Sequence, residues 1–147
     1  MAGTYSKLLF HIVFSTKDRR PLIRPEFEDE LYRYLGGVLR NQNAVLLDAG
    51  GMPDHVHLLV KLIPSHRLSD LMRDMKANSS AWMSARVPGF SWQDGYAVFS
   101  VSESQYETVA NYIRGQKEHH RQRDFRAELE AIFSRHGVVF DRKLLWK

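Results

Sequence analysis

Two histidines two positions apart inside an apolar stretch constrain this chain more than any other feature. The stretch reads Pro53-Asp54-His55-Val56-His57-Leu58-Leu59-Val60. Side chains two apart in a β-strand point to the same face of a sheet. A strand here therefore buries Val56 and Leu58 on one face and presents His55 and His57 side by side on the other. Such a pair is half of a metal site, although it is also common as an ordinary polar surface pair.

Length and composition limit the classes of protein to which the chain can belong. A chain of 147 residues can bury a core of its own, and we treat residues 1–147 as a single domain. The absence of cysteine excludes disulfides and cysteine-based metal sites. No signal peptide and no apolar run of bilayer length is visible, so we expect a cytoplasmic protein that does not act at a membrane.

The order of the predicted elements indicates the fold class. Apolar patterning predicts strands at 8–14, 44–47, 55–62 and 96–101 and helices at about 25–41 and 68–83, with a turn at 50–54. The order strand, helix, strand, strand, helix, strand is that of the split βαβ, or ferredoxin-like, sandwich. We therefore predict an α+β fold whose antiparallel sheet has two helices on one face. His11, inside the first strand, is expected to be a hydrogen-bonded sheet histidine and not a ligand.

A third helix is predicted after the last strand. Ser102 and Ser104 both have the spacing of a capping box, so we expect the helix to begin there and to run to about residue 122. It would cover the free face of the sheet or reach a second subunit. A shorter helix is predicted at 125–136, with Asp124 as its N-cap and Gly137 as its end.

The third helix carries a candidate reactive group within a basic segment. Tyr112 and Gln116 lie one turn apart on one helical face, and His120 follows on the same stripe. A lone helical tyrosine often does no more than pack. The formal charge of +4 and the cluster of basic residues at 114–126 favour a polyanionic partner, although a solvated helix face would have the same composition.

Four blocks of the sequence together resemble a known family. They are Pro53-Asp54-His55-Val56-His57-Leu58-Leu59, Trp92-Gln93-Asp94-Gly95-Tyr96, Phe99-Ser100-Val101-Ser102 and Tyr112-Ile113-Arg114-Gly115-Gln116-Lys117-Glu118-His119-His120. In this order and spacing they resemble the single-tyrosine HUH transposases of the insertion sequence 200/605 type, across nearly the whole chain.

The resemblance implies an activity and a set of site residues. It implies a small homodimeric nuclease and strand transferase that acts on single-stranded DNA hairpins at the ends of a mobile element. His55, His57 and Gln116 would hold a divalent cation, and Tyr112 would be the nucleophile that forms a 5′-phosphotyrosine. Mg²⁺ or Mn²⁺ is expected, with zinc also open. No nucleotide cofactor is expected, because the covalent link conserves the phosphodiester energy.

Basic and aromatic residues are candidates for contacts with DNA. We expect phosphate contacts from Lys17, Arg19, Arg20, Arg73, Lys76, Arg114, Lys117 and Arg121. His119 and His120 would help in proton transfer or contact DNA, or else cap and pack the helix. Trp92 or Tyr96 would stack on a base, or else belong to the core.

Two other functions are compatible with parts of this pattern. A replication initiator or relaxase shares the metal and tyrosine chemistry, but often has the paired histidines within a different order of surrounding elements and has additional domains. A non-catalytic or domesticated module that binds single-stranded DNA or RNA hairpins would have the same fold. The aromatic pattern of RRM domains is not present in the strands at 8–14 and 55–62.

Overall fold

A four-stranded antiparallel sheet forms the centre of the molecule. The computed structural model describes residues 3–120, 124–141 and 143. The sheet has the order β2-β3-β1-β4, with all neighbouring strands antiparallel. Its strands are β1 (Leu8–Ser15), β2 (Val45–Met52), β3 (His55–Leu62) and β4 (Ala97–Val101). This is the predicted ferredoxin-like α+β arrangement.

Helices α1 (Pro25–Asn41) and α2 (Leu68–Ser84) cover the first face of the sheet. The main core lies there because alternate strand residues face the apolar stripes of both helices. Its members include Ile12, Phe14, Val56, Leu58, Leu31, Leu35, Met72 and Met75. Since Val56 and Leu58 face this core, the alternation of β3 turns His55 and His57 to the second face, as predicted.

Three helices of the same chain lie on the second face. They are α3 (Tyr106–Arg114), α4 (Gln116–His119) and α5 (Phe125–Arg135). Ala110 and Ile113 of α3 pack on Leu59, and the apolar side of α5 packs on Val13 and Phe99. The face that the sequence left open is thus covered within the chain, by α3 and also by α5.

Strand β2 is longer than predicted and includes two glycines that we expected in a turn. Gly50 and Gly51 pair with β3, and only Pro53 and Asp54 connect the two strands. A Cβ atom added to Gly50 would lie 2.0 Å from the carbonyl oxygen of Ile113. The glycine is required because the backbone of α3 lies directly on the strand. The predicted turn at 50–54 is therefore wrong at its first three positions.

The third helix is interrupted, contrary to the prediction of one helix from Ser102 to about residue 122. A short 3₁₀ turn (Glu103–Gln105) precedes α3, and Gly115 separates α3 from α4. The predicted capping box does not form, since the Oγ of Ser102 lies 3.0 Å from that of Ser104 instead of bonding a helix N–H. Residues 121–123 lie outside the described residues.

Helix α5 begins and ends where the sequence predicts. The side chain of Asp124 accepts a hydrogen bond of 2.8 Å from the backbone N–H of Ala127, which satisfies one free donor of the first turn. Gly137 follows the helix with a φ of +65°, a conformation that glycine adopts readily. Within the described ranges, no helix is long and apolar enough to cross a membrane.

Candidate active site

The two histidines of β3 point into a closed space between the sheet and helices α3 to α5. Both side chains are fully buried. The Nε2 atom of His57 lies 2.9 Å from Oε1 of Glu128, and the Nε2 atom of His55 lies 3.6 Å from the same oxygen. The two imidazoles therefore converge on one carboxylate.

The outer nitrogen of each imidazole has its own hydrogen-bond partner. Nδ1 of His55 lies 2.7 Å from Oδ1 of Asp54, and Nδ1 of His57 lies 2.8 Å from Nε2 of His11. A hydrogen bond at one ring nitrogen fixes the tautomer and leaves the other nitrogen to act as a ligand. His11 is thus a satisfied buried histidine, as predicted, but its partner is a candidate ligand.

Burial keeps the imidazoles of His57 and His11 neutral. It lowers the pKa of His57 to about 4 and holds the pKa of His11 well below its usual range, with the neighbouring histidines adding to the effect. A neutral imidazole has the free lone pair that a metal ion requires. His57 is therefore in the protonation state of a ligand at neutral pH.

Gln116 reaches the same centre from the beginning of α4. Its side chain is buried, and its Oε1 atom lies 3.2 Å from Nε2 of His55. Its Nε2 atom donates a hydrogen bond of 3.2 Å to Oε2 of Glu128. The amide oxygen predicted as the third metal ligand therefore lies beside the first imidazole.

Glu128 is the central residue that the sequence analysis missed. Its carboxyl is buried on α5, which raises its pKa, but the hydrogen bonds with His57 and Tyr112 outweigh burial and hold the pKa well below the usual range. One signal was available. Glu128 lies on the apolar stripe of α5 formed by Phe125, Leu129 and Ile132, where an acidic residue requires a partner.

The donor set fits a divalent cation. The ligand atoms of His55, His57 and Glu128 lie within 4.8 Å of one another. Two neutral imidazoles, one carboxylate and the amide oxygen of Gln116 suit Mn²⁺ or zinc, and the two oxygen ligands also suit Mg²⁺. A hydrogen bond from the outer nitrogen of each imidazole to a second residue is typical of metal sites in proteins.

Tyr112 shares the carboxylate with the candidate ligands. Its hydroxyl donates a hydrogen bond to Oε2 of Glu128, the oxygen that does not face His57. Its ring contacts the edge of His57 at a centroid distance of 5.8 Å. Burial raises the pKa of Tyr112, and the hydrogen bond to Glu128 adds to the rise. The phenol is therefore protonated and held next to the metal-binding atoms.

The two histidines after Gln116 differ in their position. Nε2 of His120 lies 3.4 Å from Oε1 of Glu128, and its ring lies 4.8 Å from that of His55. His119 is exposed and packs on the ring of Tyr112 at 4.7 Å. Both candidates thus border the site, with His120 closer to the ligand atoms.

Four of the predicted phosphate contacts have protein partners. Lys117 pairs with Glu28 at 2.8 Å and Arg114 with Asp48 at 3.4 Å. Arg73 pairs with two aspartates of its own helix. The ammonium of Lys76 donates to the carbonyls of residues 93–95, and burial lowers its pKa to about 8.

Three other basic candidates lie in the connection after β1. Lys17 and Arg19 bound a short 3₁₀ turn and Arg20 follows it. This turn adjoins the site because the N–H of Thr16 donates to the carbonyl of Asp54 at 2.9 Å. Arg121 lies outside the described residues.

The two aromatic residues considered for base stacking lie in different environments. Trp92 is buried in the main core, and its indole N–H donates to Oγ of Ser79 at 2.9 Å. Tyr96 is 40% exposed at the surface between the loop and β4. Trp92 is therefore a core residue, the alternative considered for it from sequence.

Curated relatives are similar to most of the chain. The ISDra2 transposase TnpA of Deinococcus radiodurans is 26% identical over 122 residues, which cover 78% of this chain and 87% of the relative. The transposase for insertion sequence element IS200 of Salmonella typhimurium is 28% identical over 130 residues, covering 80% of this chain and 82% of the relative.

Solved structures and a family model complete the comparison. A crystal structure described as a candidate transposase from Deinococcus radiodurans R1 matches with a TM-score of 0.64 at 28% identity, over 77% of this chain and 93% of that one. A REP-associated tyrosine transposase bound to a REP hairpin shares the fold at a TM-score of 0.57 and 16% identity, over 77% and 68%. The model of the family "Transposase IS200 like" matches residues 4–116, which include the two histidines, Tyr112 and Gln116 but not Glu128. The chain belongs to the IS200-like transposase family.

Proposed function

We propose that this transposase cuts and rejoins single-stranded DNA at the ends of a mobile element through a 5′-phosphotyrosine at Tyr112. One observation carries the proposal. The hydroxyl of Tyr112 and the inner nitrogens of His55 and His57 all converge on the carboxylate of Glu128. A nucleophile so close to metal-binding atoms is the arrangement that phosphodiester cleavage requires.

His55 and His57 would hold a divalent cation through their inner nitrogens, with oxygens of Gln116 and Glu128 beside them. When bound, a cation neutralises part of the phosphate charge and orients the phosphorus for attack. Asp54 and His11 orient the two imidazoles from behind. We propose Mg²⁺ or Mn²⁺, because one carboxylate and one amide oxygen accompany the two nitrogens.

Tyr112 would perform the covalent step. Its phenol oxygen forms the new bond to phosphorus and loses its proton to water, the bond from phosphorus to the 3′-oxygen breaks, and that oxygen takes a proton from water to become a 3′-hydroxyl. The hydrogen bond to Oε2 of Glu128 holds the phenol oxygen beside the inner nitrogens of the two histidines. Attack by a different 3′-hydroxyl reverses these steps and rejoins two strands without a nucleotide cofactor.

The DNA would be a single strand with hairpins. Support comes from family membership and from the REP hairpin in a structure of the same fold. Lys17, Arg19 and Arg20 are the favoured phosphate contacts because their turn adjoins Asp54 and His55. We also propose a homodimer, which light scattering at several protein concentrations tests directly.

The decisive experiment looks for the covalent link. Purified protein is incubated with Mn²⁺ or Mg²⁺ and with hairpin oligonucleotides taken from the DNA that flanks its gene, and adducts are resolved on denaturing gels. We expect an adduct that is lost in Tyr112→Phe, in His57→Ala and with chelator. Hairpin binding without any adduct would instead establish a non-catalytic binding module.

A further inference from the structure

A cleft opens on the face of Tyr112 that is not occupied by the candidate ligands. Its volume is about 530 Å³, within the range of pockets that hold small ligands. Tyr112 and His11 line it, but His55, His57, Gln116 and Glu128 do not. The cleft and the metal-binding space therefore share the candidate nucleophile and are otherwise distinct.

The walls of the cleft combine apolar surface with polar groups. Gln105 and Thr108 contribute from the 3₁₀ turn and α3, and Ile132 contributes from α5. Arg135 and His136 stand at the end of α5, where the ring of His136 is stacked on Phe99 at a centroid distance of 4.5 Å. Apolar walls with a few amide, hydroxyl and cationic groups suit a nucleotide, whose base is flat and whose phosphate is anionic.

Arg135 is the cation of this cleft. Its side chain is exposed, and within the described ranges no ion pair uses its guanidinium. Arg135 lines the same cleft as Tyr112. Its guanidinium therefore brings to the cleft a positive charge that can bind a phosphate.

The geometry of the cleavage reaction decides which nucleotide of the strand lies in the cleft. Attack at phosphorus is in line, so the leaving 3′-oxygen and its nucleotide lie on the far side of phosphorus from the phenol oxygen. The nucleotide on the 3′ side of the scissile phosphate need not lie opposite the phenol oxygen, and it stays attached to Tyr112 through the phosphate after cleavage. This nucleotide, and not the leaving one, can therefore lie in a cleft on the side of the tyrosine.

We propose that the cleft beside Tyr112 binds the nucleotide on the 3′ side of the scissile phosphate, with Arg135 contacting a phosphate of that nucleotide. The proposal rests on the proposed function, since it assumes attack by Tyr112. It assigns α5 two tasks in the reaction, because Glu128 faces the metal-binding atoms and Arg135 faces the bound strand. Neither residue lies within the part of the chain that the family model matches.

The first test needs neither cleavage nor metal. The four deoxynucleoside 5′-monophosphates are titrated into protein in EDTA, and backbone amide shifts are followed by NMR. We expect shifts at Gln105, Thr108 and His136, and an affinity about tenfold lower in Arg135→Ala. Arg126→Ala is the matched control, because Arg126 is an exposed arginine of the same helix that pairs with Glu130 outside the cleft.

The second test uses the hairpin that forms an adduct. The nucleotide 3′ to the mapped cut is replaced by an abasic residue, which we expect to slow adduct formation about tenfold in the wild type. Thr108→Phe fills the cleft, so the abasic change should have little further effect in that variant.

The outcomes separate the two proposals. Nucleotide shifts at the cleft without any adduct would retain the cleft as a nucleotide-binding site, but would overturn the proposed function and with it the assignment of that nucleotide to the 3′ side of a cut. An adduct that forms equally fast with the abasic strand, together with absent nucleotide shifts or equal affinities in Arg135→Ala and Arg126→Ala, would overturn the cleft and leave the function standing.

Discussion

The outer nitrogen of His57 lies 2.8 Å from Nε2 of His11 on the neighbouring strand β1. The inner nitrogen of His57 faces Glu128 at 2.9 Å. One imidazole therefore supports another, whereas His55 is supported by the carboxylate of Asp54. This contact connects β1 to the metal-binding atoms, although His11 itself touches none of the other candidate ligands.

Loss of this support should weaken metal binding. We expect His11→Phe to lower the affinity for Mn²⁺ by about 10- to 100-fold, because the ring of His57 loses the partner that fixes its tautomer. His11→Gln retains a hydrogen-bonding group and should keep most of the affinity. Isothermal titration calorimetry of the three proteins measures the difference, and equal affinities in His11→Phe and wild type would contradict a supporting role.

For metal binding, the negative charge of Glu128 should matter more than the hydrogen bonds of its side chain. We expect Glu128→Gln to fold normally and to bind Mn²⁺ at least about tenfold more weakly, because it removes a negative ligand while keeping the shape. Gln116→Ala serves as the comparison. If only Gln116→Ala weakens binding, the three ligands predicted from sequence are sufficient and Glu128 acts only on Tyr112.

Gly50 should not tolerate a side chain. Gly50→Ala would place a Cβ atom 2.0 Å from the carbonyl of Ile113, so α3 must move away from the sheet. We expect the free energy of unfolding to fall by about 1–3 kcal/mol and the adduct rate to fall with it, since Tyr112 precedes Ile113. Gly37→Ala, in α1 with no atom within 4 Å of the added carbon, should instead stabilise by about 0.5–1 kcal/mol. Urea unfolding measures both, and a neutral Gly50→Ala would refute the close approach.

The cap of α5 should contribute measurably to stability. Asp124→Ala removes the acceptor of the Ala127 N–H and should cost about 1 kcal/mol. Asp124→Asn keeps a capping oxygen and should cost less. Thermal unfolding followed by circular dichroism distinguishes them, and identical transitions in the alanine variant and wild type would argue against the cap.

Stability without metal should fall on acidification. The pKa of His57 is about 4 in the folded protein against an ordinary 6.5, so between these values the unfolded chain binds a proton that the folded chain does not. The free energy of unfolding should therefore change little near pH 7, because the lowered pKa of Lys76 acts only from about pH 8 upward. It should decrease from about pH 6.5 to pH 4, with His57 contributing an amount of the order of 3 kcal/mol. Urea titrations in EDTA measure the slope. His57→Gln should reduce the slope and leave the contribution of His11, whose pKa is also lowered by burial. A flat wild-type profile would show that the imidazole of His57 is accessible to protons.

The sequence predicted the elements that have local signals. Helix α1, the capped beginning of α5 at Asp124 and the end of α5 at Gly137 all depend on nearby residues, and all agree with the structure. The two glycines of β2 led to the wrong prediction of a turn, because the helix that requires a glycine at position 50 is distant in the sequence. Position 50 requires a glycine because the backbone of α3 lies against it, whereas a glycine-rich stretch before a proline is also typical of a turn.

The candidate site shows the same distinction. His55 and His57 share a strand, and Tyr112 and Gln116 lie four residues apart at the end of α3 and the beginning of α4, so spacing alone groups each pair. The contact of Glu128 with both pairs depends on how α5 lies across the sheet, which no spacing encodes. Only the position of an acidic residue on an apolar stripe pointed to a buried partner.

Strand β3 divides its residues between two environments, with the core on one side and the candidate ligands on the other. A slip of one residue in its pairing with β1 would turn both imidazoles into the core and the apolar side chains towards Glu128. A correctly paired sheet would therefore be a condition for metal binding, and a bound metal ion would stabilise the correct pairing. The number of metal ions bound per chain at saturation would then report the fraction of molecules that have folded in the native register.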